Sequence, residues 1–469
     1  MYFYGVYMRE KLGSRLGFIL LSAGCAIGIG NVWKFPYMVG QYGGGIFVLI
    51  YIFFLIIMGV PVLSMEFSLG RAAQKSPVKM YQELEPKGTK WHLHGYTAMI
   101  GNYLLMMFYT CVAGWMLSYF VFTAKGSLSG LDTKGVENFF SSQVLANPVL
   151  MIIFTFIVII MGFAVCSFSL QKGLERITKV MMLALLGIMV VLACNSIFLE
   201  GGAEGLKFYL LPNIESIKNV GDGNLVKGFF DVIVGAMNQA FFTLSVGIGS
   251  MAIFGSYLNK ERSLMGEAVN VSVLDTFVAI TSGLIIFPAC FAFGVDVESG
   301  PSLIFITLPN IFNKLYLGRL WGSLFFIFMS FAALSTVFAV FENIIACTMD
   351  QFKLSRKKAC LINCLLMLVL CLPCVLGFNV LSGFTPFKPG SNVLDLEDFL
   401  VSNVLLPIGS LIFVIFCTNR YGWGFEKFKN EANEGKGIKV KNWMKPYMTI
   451  VLPIMIFIIF AVGIYNFFK

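Results

Sequence analysis

The chain has 469 residues, of which 58% are hydrophobic and only 13% are charged, and its formal net charge is +9. A soluble protein carries about twice that charged fraction, so the composition excludes a soluble enzyme or binding module and indicates a membrane protein. The positive charge does not indicate a nucleic-acid partner, because most of the basic residues fall in alternate loops between apolar stretches, as expected for cytoplasmic loops of a membrane protein.

Eleven uncharged stretches are long enough, at about 20 residues, to cross a bilayer as helices. They are numbered helices 1 to 11 in chain order and comprise residues 16–33, 46–65, 97–124, 147–171, 180–199, 232–259, 276–295, 320–341, 359–387, 399–419 and 446–468. Their length excludes a membrane β-barrel, whose strands are short and alternating. The loop charges predict a multi-pass protein of the plasma (bacterial inner) membrane, with the amino terminus in the cytoplasm and the carboxyl terminus outside.

Two of these stretches carry nearly the same glycine motif. Residues 26–31 read AIGIGN in helix 1, and residues 245–250 read SVGIGS in helix 6. Each glycine costs roughly 1 kcal/mol relative to alanine inside a helix. A Gly-x-Gly at matching places in two halves therefore predicts two broken helices that face each other. Such discontinuous helices in a duplicated architecture indicate the substrate and ion site of a transporter.

The chain is predicted to form one integral domain, 1–469, of all-α class. Helices 1–5 (about 16–198) form one repeat and helices 6–10 (about 229–418) form the other, with helix 11 (about 446–468) appended. Because each repeat has five helices, the second is inverted relative to the first. The charged loop from Glu426 to Lys441 is expected to be mobile and solvated, and His92 and His94 are expected to lie exposed at the cytoplasmic entrance of helix 3.

Ionisable side chains at membrane depth cost several kcal/mol unless they are paired or hydrated, so they are candidates for function. Asp275 in helix 7 precedes a long uncharged run, and a bound cation would neutralise it. Glu66 in helix 2 is better explained as an acceptor for the N–H groups that a broken helix leaves unpaired. Ser335 and Thr336 in helix 8 offer neutral oxygens suited to a monovalent cation, although such hydroxyls usually bond back to the preceding turn. Glu342 in helix 8 is a further candidate.

The same segments resemble the neurotransmitter:sodium symporter family, in its bacterial amino-acid branch of eleven-helix type. The similarity covers nearly the whole chain. The motifs that carry it are RLG at 15–17, NVWKFPY at 31–37, GGG at 43–45, GVP at 59–61 followed by Glu66 and GR at 70–71, QKG at 171–173 and FFTLS at 241–245. The 5+5 inverted-repeat bundle with broken helices 1 and 6 is the known fold of that family, so the resemblance supplies it.

The resemblance implies two sodium sites. The first would use the substrate carboxylate together with oxygens of Ala26, Asn31, Thr243 and Asp275. The second would use the carbonyls of Gly24, Ile27 and Ala332 and the hydroxyls of Ser335 and Thr336.

The resemblance also implies a substrate pocket, with Tyr109 and the amides around Gly28–Gly30 holding a carboxylate. Its implied members are Cys25, Ala26, Gly28, Gly30, Leu105, Tyr109, Phe242, Thr243, Ser245, Ile248, Thr336 and Val340. Gly28 stands where monoamine carriers of the family have an aspartate, which favours a ligand that brings its own carboxylate, an amino acid. No implied member is charged, and a buried unpaired charge is costly, so an apolar or aromatic side chain is expected.

The resemblance also implies two gates. Lys34 and Asp398 would approach each other across the outer vestibule, and Arg9 and Asp350 would pair at the cytoplasmic side near Tyr257. Lys34 replaces an arginine that is usual in the family. Because lysine cannot form a planar bidentate pair, the outer gate is expected to be looser.

The chain departs from the family pattern at two further places. Asp275 and Ala279 stand where animal members commonly have an asparagine and a serine that help to hold chloride, so chloride is not expected to be required. Leu183 stands ten positions after Gly173, where bacterial relatives often have a proline, so helix 5 is expected to unwind less readily.

Together these observations predict a sodium-coupled symporter that imports an apolar or aromatic amino acid by alternating access, with two bound Na⁺ and no organic cofactor. A non-transporting amino-acid sensor on the same fold and a proton-coupled amino-acid permease remain alternatives. An enzyme is not expected, since no catalytic dyad, metal cluster or phosphate-binding loop is evident, and Gly28–Gly30 lacks the strand context of a nucleotide-binding motif.

Overall fold

The computed structural model describes residues 10–295, 302–387 and 389–468, with only the main chain described at 466 and 468. Ten helices in this part are long and apolar enough to cross a membrane, and a bent pair makes an eleventh span. The spans are α1a Arg15–Ala26 with α1b Gly30–Gln41, α2 Gly45–Ala73, α3 His92–Lys125, α4 Pro148–Ser167, α5 Gln171–Ile197, α6a Leu225–Phe242 with α6b Ser250–Gly255, α7 Leu264–Ala292, α8 Gly318–Phe352, α9 Arg356–Leu376, α10 Val393–Thr418 and α11 Met444–Tyr465. The predicted all-α membrane fold is confirmed.

Shorter helices cross the ends of the bundle between the spans. They are Pro77–Leu84 before α3, Thr133–Asn138 before α4, Gly202–Leu210 and Ile214–Val220 before α6a, Leu308–Lys314 before α8 and Phe425–Ala432 before α11.

The first span is broken at the glycine motif, as predicted. Helix α1a ends because Ile27 is extended (ψ 95°), and the axis bends by 59° before α1b begins at Gly30. At its N-terminus, α1a is capped by Ser14, whose hydroxyl accepts the N–H of Gly17 at 3.0 Å. Two half-helices therefore meet near the middle of the bundle, and the main-chain groups at their ends face inward.

The sixth span is broken over a longer stretch than the first. Ser245, Gly247 and Gly249 all have positive φ (50°, 106° and 75°), a conformation that only glycine adopts without strain. Gly247 is required for a second reason: a Cβ at that position would overlap the carbonyl oxygen of Leu406 in α10. The glycines thus allow the unwound chain to lie directly against a neighbouring helix.

Helix α6b has only six residues and depends on α2 for its position. A Cβ at Gly70 would overlap the carbonyl oxygen of Ala252, and a Cβ at Gly255 would overlap the carbonyl oxygen of Phe67. The two helices therefore pack main chain against main chain, with glycine on each side of the contact.

Helices α3 and α8 form the fixed centre against which the broken helices pack. They run along each other for much of their length, and α1a lies against both α8 and α7. The apolar window of α8 is 83% buried, whereas that of α11 is 28% buried, so α8 is the interior helix and α11 faces lipid. This arrangement places both breaks beside α3 and α8.

The structure differs from two expectations about the bundle ends. The charged residues of the loop from Glu426 to Lys441 are largely exposed, as expected, but the loop is docked on the protein, because it begins inside the helix Phe425–Ala432, and Phe428 and Val440 are buried. His94 is also buried (6% exposed), with its ring against Tyr81 and Phe413. Both differences have the same cause: polar residues suggested an exposed surface, but the apolar residues beside them or in contact with them are buried.

The loop is held by a buried arginine at the end of α2. The Arg71 side chain is fully buried; its Nε donates to Glu431 at 2.6 Å, and its Nη1 donates to the carbonyl of Arg262 at 2.7 Å. A second amino group donates to the main-chain carbonyl of Glu431. One guanidinium thus joins α2, the α6b–α7 connection and the α10–α11 loop.

Replacing Arg71 with methionine is expected to lower the free energy of unfolding by about 3 kcal/mol, because Glu431 and two carbonyls lose a buried partner. The measurement is the midpoint of thermal unfolding in detergent, followed by reaction of the buried cysteines with a thiol-reactive dye. Lys75→Gln removes the same charge from an exposed side chain one turn further on and should leave the midpoint unchanged. Equal effects of the two substitutions would contradict this account.

Candidate functional site

A cavity of about 380 Å³ lies where α1 and α6 are broken and extends toward the start of α10. Its wall is built from four sides by α1, α3, the α6 break and α10, with one contribution from α8. The lining residues are Ala26, Gly28, Ile29, Gly30, Asn31, Trp33, Lys34, Tyr37, Leu105, Phe108, Tyr109, Val112, Phe242, Thr243, Ser245, Thr336, Leu394, Asp395, Asp398 and Leu406.

Most of the pocket residues implied by the resemblance are brought together on this wall. The nine that line it are Ala26, Gly28, Gly30, Leu105, Tyr109, Phe242, Thr243, Ser245 and Thr336. Cys25, Ile248 and Val340 do not line the cavity. The carbonyl of Cys25 accepts the Ser245 hydroxyl at 3.3 Å, the carbonyl of Ile248 accepts the Asn102 amide at 2.8 Å, and Val340 is fully buried in α8.

Three further lining residues, Asn31, Lys34 and Asp398, were predicted as ion or gate residues. The other eight were missed by the sequence analysis, although helical spacing could have found several of them. Phe108 and Val112 lie on the same face of α3 as Leu105 and Tyr109, at spacings of three and four residues. Trp33 and Tyr37 of α1b and Leu394, Asp395 and Leu406 of α10 extend the wall toward the outer end in the same way.

Gly28 is packed against hydroxyl groups at the break of α1. A Cβ at this position would lie 2.5 Å from the Tyr109 hydroxyl oxygen and 2.8 Å from Oγ1 of Thr336. The Tyr109 hydroxyl itself accepts the N–H of Ile29 at 3.0 Å. At Gly30, a Cβ would lie 3.0 Å from the ring of Phe242. The exposed main chain of α1 therefore borders the cavity without intervening side chains.

Three predicted ligands of the first sodium site form one buried cluster. Asp275 accepts from Nδ2 of Asn31 at 2.7 Å and from the Thr243 hydroxyl at 3.0 Å. The amide of Asn31 also contacts the Thr243 hydroxyl at 3.1 Å, and its oxygen accepts the N–H of Gly28 at 3.2 Å. Asn31 and Asp275 are fully buried, so a carboxylate from α7 is held between the two breaks.

The five groups implied as the second sodium site also lie together, between α1 and α8. The Ser335 hydroxyl is 3.2 Å from the carbonyl oxygen of Ile27 and 2.9 Å from that of Ala332. The Thr336 hydroxyl is 3.3 Å from the carbonyl oxygen of Gly24 and 3.4 Å from that of Ile27. The cluster contains five uncharged oxygens, of which the three carbonyls come from the end of α1a and from α8.

Glu66 lies beneath the break of α6 and outside the cavity wall. Its carboxylate accepts the N–H of Gly247, and the side chain is fully buried. Glu66 thus accepts an N–H group of the broken helix, the role predicted from the sequence. The N–H would otherwise have no partner, since water is excluded from this depth.

At the outer end of the cavity, Lys34 and Asp398 both line the wall, but no ion pair within 4 Å joins them. The Lys34 ammonium lies 3.6 Å from the ring centre of Phe242, a cation–π contact. Asp398 accepts the Ser402 hydroxyl at 2.7 Å. Lys34 and Asp398 therefore each contact a different residue of the outer wall, Phe242 and Ser402, and not each other.

At the cytoplasmic end, Arg9 lies outside the described residues, so its pairing with Asp350 stays a prediction. Asp350 accepts the N–H of Ser76 at 2.7 Å. Tyr257 donates to Glu342 at 2.6 Å, and Glu342 forms a bidentate ion pair with Arg356 at 2.8 Å. The pairing partner of Glu342 was missed by the sequence analysis.

Helix α1a is fixed at its start by two further carboxylates. Glu175 of α5 accepts the Gly13 N–H at 2.7 Å and the Ser14 hydroxyl at 2.9 Å. Glu267 of α7 pairs with Arg15 at 2.9 Å. Negative charge at a helix N-terminus is favourable, so these contacts stabilise the cytoplasmic end of α1a. Helix α5 is continuous through Leu183, which faces outward.

In the part of the chain that the structure describes, a helical membrane bundle with two broken helices surrounds a central cavity, an arrangement typical of a secondary transporter. Comparison with known proteins gives the family: the profile of the Sodium:neurotransmitter symporter family matches residues 9–148 and 144–469, and the chain belongs to that family. It is thus a sodium-dependent, multi-pass membrane transporter.

Its relatives span nearly its full length. An uncharacterized sodium-dependent transporter of Bacillus subtilis (strain 168), YhdH, is 35% identical over 97% of this chain and 98% of that protein. An uncharacterized sodium-dependent transporter of Haemophilus influenzae is 29% identical over 97% of this chain and 98% of that protein. The crystal structure of MhsT in complex with L-phenylalanine matches with a TM-score of 0.84 and 36% identity, covering 97% of this chain and 100% of that one.

Replacing Glu66 with alanine is expected to lower the free energy of unfolding by about 2 kcal/mol, because the buried N–H of Gly247 loses its acceptor. The measurement is again the thermal midpoint followed by cysteine exposure. Glu66→Gln keeps an acceptor oxygen at the same place and should recover most of the loss. If alanine and glutamine lower the midpoint equally, the carboxylate does not act through this hydrogen bond.

Proposed function

We propose that this transporter is a symporter that imports an apolar or aromatic amino acid together with two sodium ions and without chloride. The observation that carries the proposal is the packing of Gly28 against Tyr109 and Thr336, which leaves no room for an acidic side chain at the break of α1. A ligand bound there has to supply its own negative end. The amino terminus is taken to be cytoplasmic, as the loop charges predict.

The break of α1 suits the carboxylate of an amino acid. Helix α1b begins at Gly30, and the first N–H groups of a helix have no partners within it and carry partial positive charge. The Tyr109 hydroxyl beside Ile29 offers a further donor. A carboxylate at this point would therefore accept hydrogen bonds from main-chain groups and a hydroxyl, without needing a charged side chain.

The opposite wall suits an apolar or aromatic side chain. Leu105, Phe108 and Val112 of α3 face the cavity together with Phe242 and Leu406. The charged lining residues, Lys34, Asp395 and Asp398, belong to the outer end. A charged ligand side chain directed at α3 would be desolvated without a partner. The complex of the similar MhsT structure with L-phenylalanine supports the same substrate class.

The Asp275 cluster suits a sodium ion bound beside the substrate. Asn31 directs an N–H at Asp275 while its oxygen accepts the N–H of Gly28. A half-turn of this amide would turn its oxygen toward Asp275 and free the Gly28 N–H for the substrate carboxylate, because the two ends of the amide have the same shape. A cation between Asp275, Asn31 and Thr243 would replace the two donated hydrogen bonds by ion–oxygen contacts. The substrate carboxylate would complete the coordination, so ion and substrate would each strengthen binding of the other.

The cluster between α1a and α8 suits a second sodium ion, since it gathers five neutral oxygens and hard cations take oxygen ligands. Two of the five are hydroxyls, Ser335 and Thr336, that now donate to the carbonyls. With a cation present, these hydroxyls would turn to offer lone pairs. Sodium use by the close relatives supports at least one such ion.

A fixed carboxylate near the first ion argues against a chloride requirement. Tyr51 and Gln239 match chloride-binding positions of animal members, and both are buried in the region of Asp275. The negative charge that a chloride ion would bring is supplied there by Asp275. A second negative charge at the same place would be repelled.

The proposal is tested with the purified protein in liposomes. Stabilisation by each of the twenty amino acids is measured in sodium and in potassium buffer, followed by counterflow of the labelled ligand that binds best. We expect apolar or aromatic amino acids to bind and exchange only with sodium, at equal rates in chloride and gluconate. Binding without counterflow would indicate a sensor, and counterflow that is independent of sodium would indicate a proton-coupled permease.

Gly28→Ala is expected to weaken binding of the preferred amino acid about tenfold to a hundredfold, because the new methyl group displaces the Tyr109 hydroxyl from the break of α1. The measurement is the dissociation constant in saturating sodium. Gly187→Ala places the same methyl group on α5, where nothing lies within 4 Å of it, and should leave affinity unchanged. Unchanged affinity in Gly28→Ala would remove the basis of the substrate assignment.

A further inference from the structure

The segment that connects the docked helix Phe425–Ala432 to α11 is strongly basic. Residues 436–445 read KGIKVKNWMK and contain four lysines and no acidic residue. Lys436, Lys439, Lys441 and Lys445 are all exposed. This stretch, called the basic strap below, is defined as residues 436–445.

The acidic residues just before the basic strap pair with only one of its lysines, because each has a partner elsewhere. Glu431 pairs with Arg71 at 2.6 Å, and Glu434 pairs with Lys260 at 3.0 Å. Glu426 pairs with Lys429 at 2.6 Å and lies 3.6 Å from Lys445. In the described part of the chain, Lys436 and Lys441 have no ion pair within 4 Å. The strap therefore keeps an uncompensated positive charge.

The main chain of the basic strap is fixed, so the lysines are presented from a defined surface. The N–H of Lys436 donates to the carbonyl of Glu261 at 2.8 Å, and the N–H of Ser263 donates to the carbonyl of Lys436 at 3.0 Å. Further along, Asn433 bonds both the N–H and the carbonyl of Val440, at 2.6 and 2.8 Å. Arg262 lies directly opposite Lys436 and is exposed, which adds a further cation.

The basic strap also marks a boundary between water and lipid. Ile438 is 54% exposed and Trp443 is 68% exposed, at the point where α11 begins. The next turns of α11 expose Ile450, Ile454 and Phe457, a face suited to acyl chains. Tryptophan is enriched at the headgroup level of membranes. The lysines therefore lie at the depth of lipid headgroups.

We propose that the basic strap is a docking surface for anionic phospholipid headgroups of the adjoining leaflet. The lysines and Arg262 would bind the phosphate and the net negative charge, while Ile438 and Trp443 would contact the glycerol region and the first methylenes. Clusters of lysines beside a membrane helix attract anionic lipids in this way. The strap is bonded to the α6b–α7 connection and, through Glu431, to α2, so the lipid would hold the whole end of the bundle to its leaflet.

The test uses the full-length protein and needs no transport assay, so its outcome is separate from that of the proposed substrate. Phosphatidylglycerol and phosphatidylcholine are offered in detergent, and the lipids retained are counted by native mass spectrometry. We expect the wild type to retain phosphatidylglycerol preferentially. Lys436→Gln combined with Lys441→Gln should reduce its affinity on the order of tenfold. These two side chains make no bond that holds the strap, so the fold is expected to persist.

Two controls make the result specific. Lys436→Arg with Lys441→Arg keeps the charge and should retain the lipid. Lys134→Gln with Lys218→Gln removes the same charge from exposed short helices at the other end of the bundle and should retain the lipid as well. The proposal is overturned if both glutamine variants lose lipid equally, if neither does, or if inorganic phosphate displaces phosphatidylglycerol at matched concentration.

Discussion

The constraint on which the structure depends is that main-chain N–H and carbonyl groups freed by a helix break have no water to bond at membrane depth. Two breaks at the middle of the bundle expose many such groups, and each unpaired group costs several kcal/mol. The protein meets this cost with a few side chains, of which Glu66 and Asn31 are fully buried. Glu66 accepts the N–H of Gly247, Tyr109 accepts the N–H of Ile29, and Asn31 accepts the N–H of Gly28.

The same constraint explains why the two oxygen clusters lie where they do. Helix breaks release carbonyls as well as N–H groups, and the carbonyls of Gly24 and Ile27 are those at the end of α1a. Hydroxyls from α8 satisfy them in the structure, and a cation could do the same more strongly. A buried carboxylate, Asp275, stands beside the other break, held by Asn31 and Thr243. Under the proposed function, ion coordination would use groups that the broken helices leave unpaired in any case.

Much of this architecture could be predicted from the sequence, because its causes are local. Gly28, Gly247 and Gly249 mark the breaks, since glycine is disfavoured in a helix interior and permits positive φ. The number of spans follows from the lengths of the apolar stretches. The role of Glu66 as a hydrogen-bond acceptor at a break follows from the cost of burying a charge without a partner. The residues of the oxygen clusters were identified by family resemblance, and the structure brings them together.

What could not be predicted depends on contacts between distant segments. The loop from Glu426 to Lys441 was expected to be free of the bundle because of its charges, whereas the apolar residues Phe425, Phe428 and Ala432 recur at helical spacing and pack inward. Its anchor, Arg71, lies 360 positions away from Glu431 along the chain. The placement of His94 likewise depends on Phe413, which no local pattern links to it.

The glycine contacts between α2 and α6b have a mechanical consequence. An isolated helix of six residues is not stable, since helix nucleation is costly. Helix α6b is therefore stabilised by its packing against the longer helix α2 at Gly70 and Gly255. At these two positions the main chains of α2 and α6b are in direct contact, with no side chain between them. We therefore expect α6b and α2 to move together as one rigid body in any conformational change.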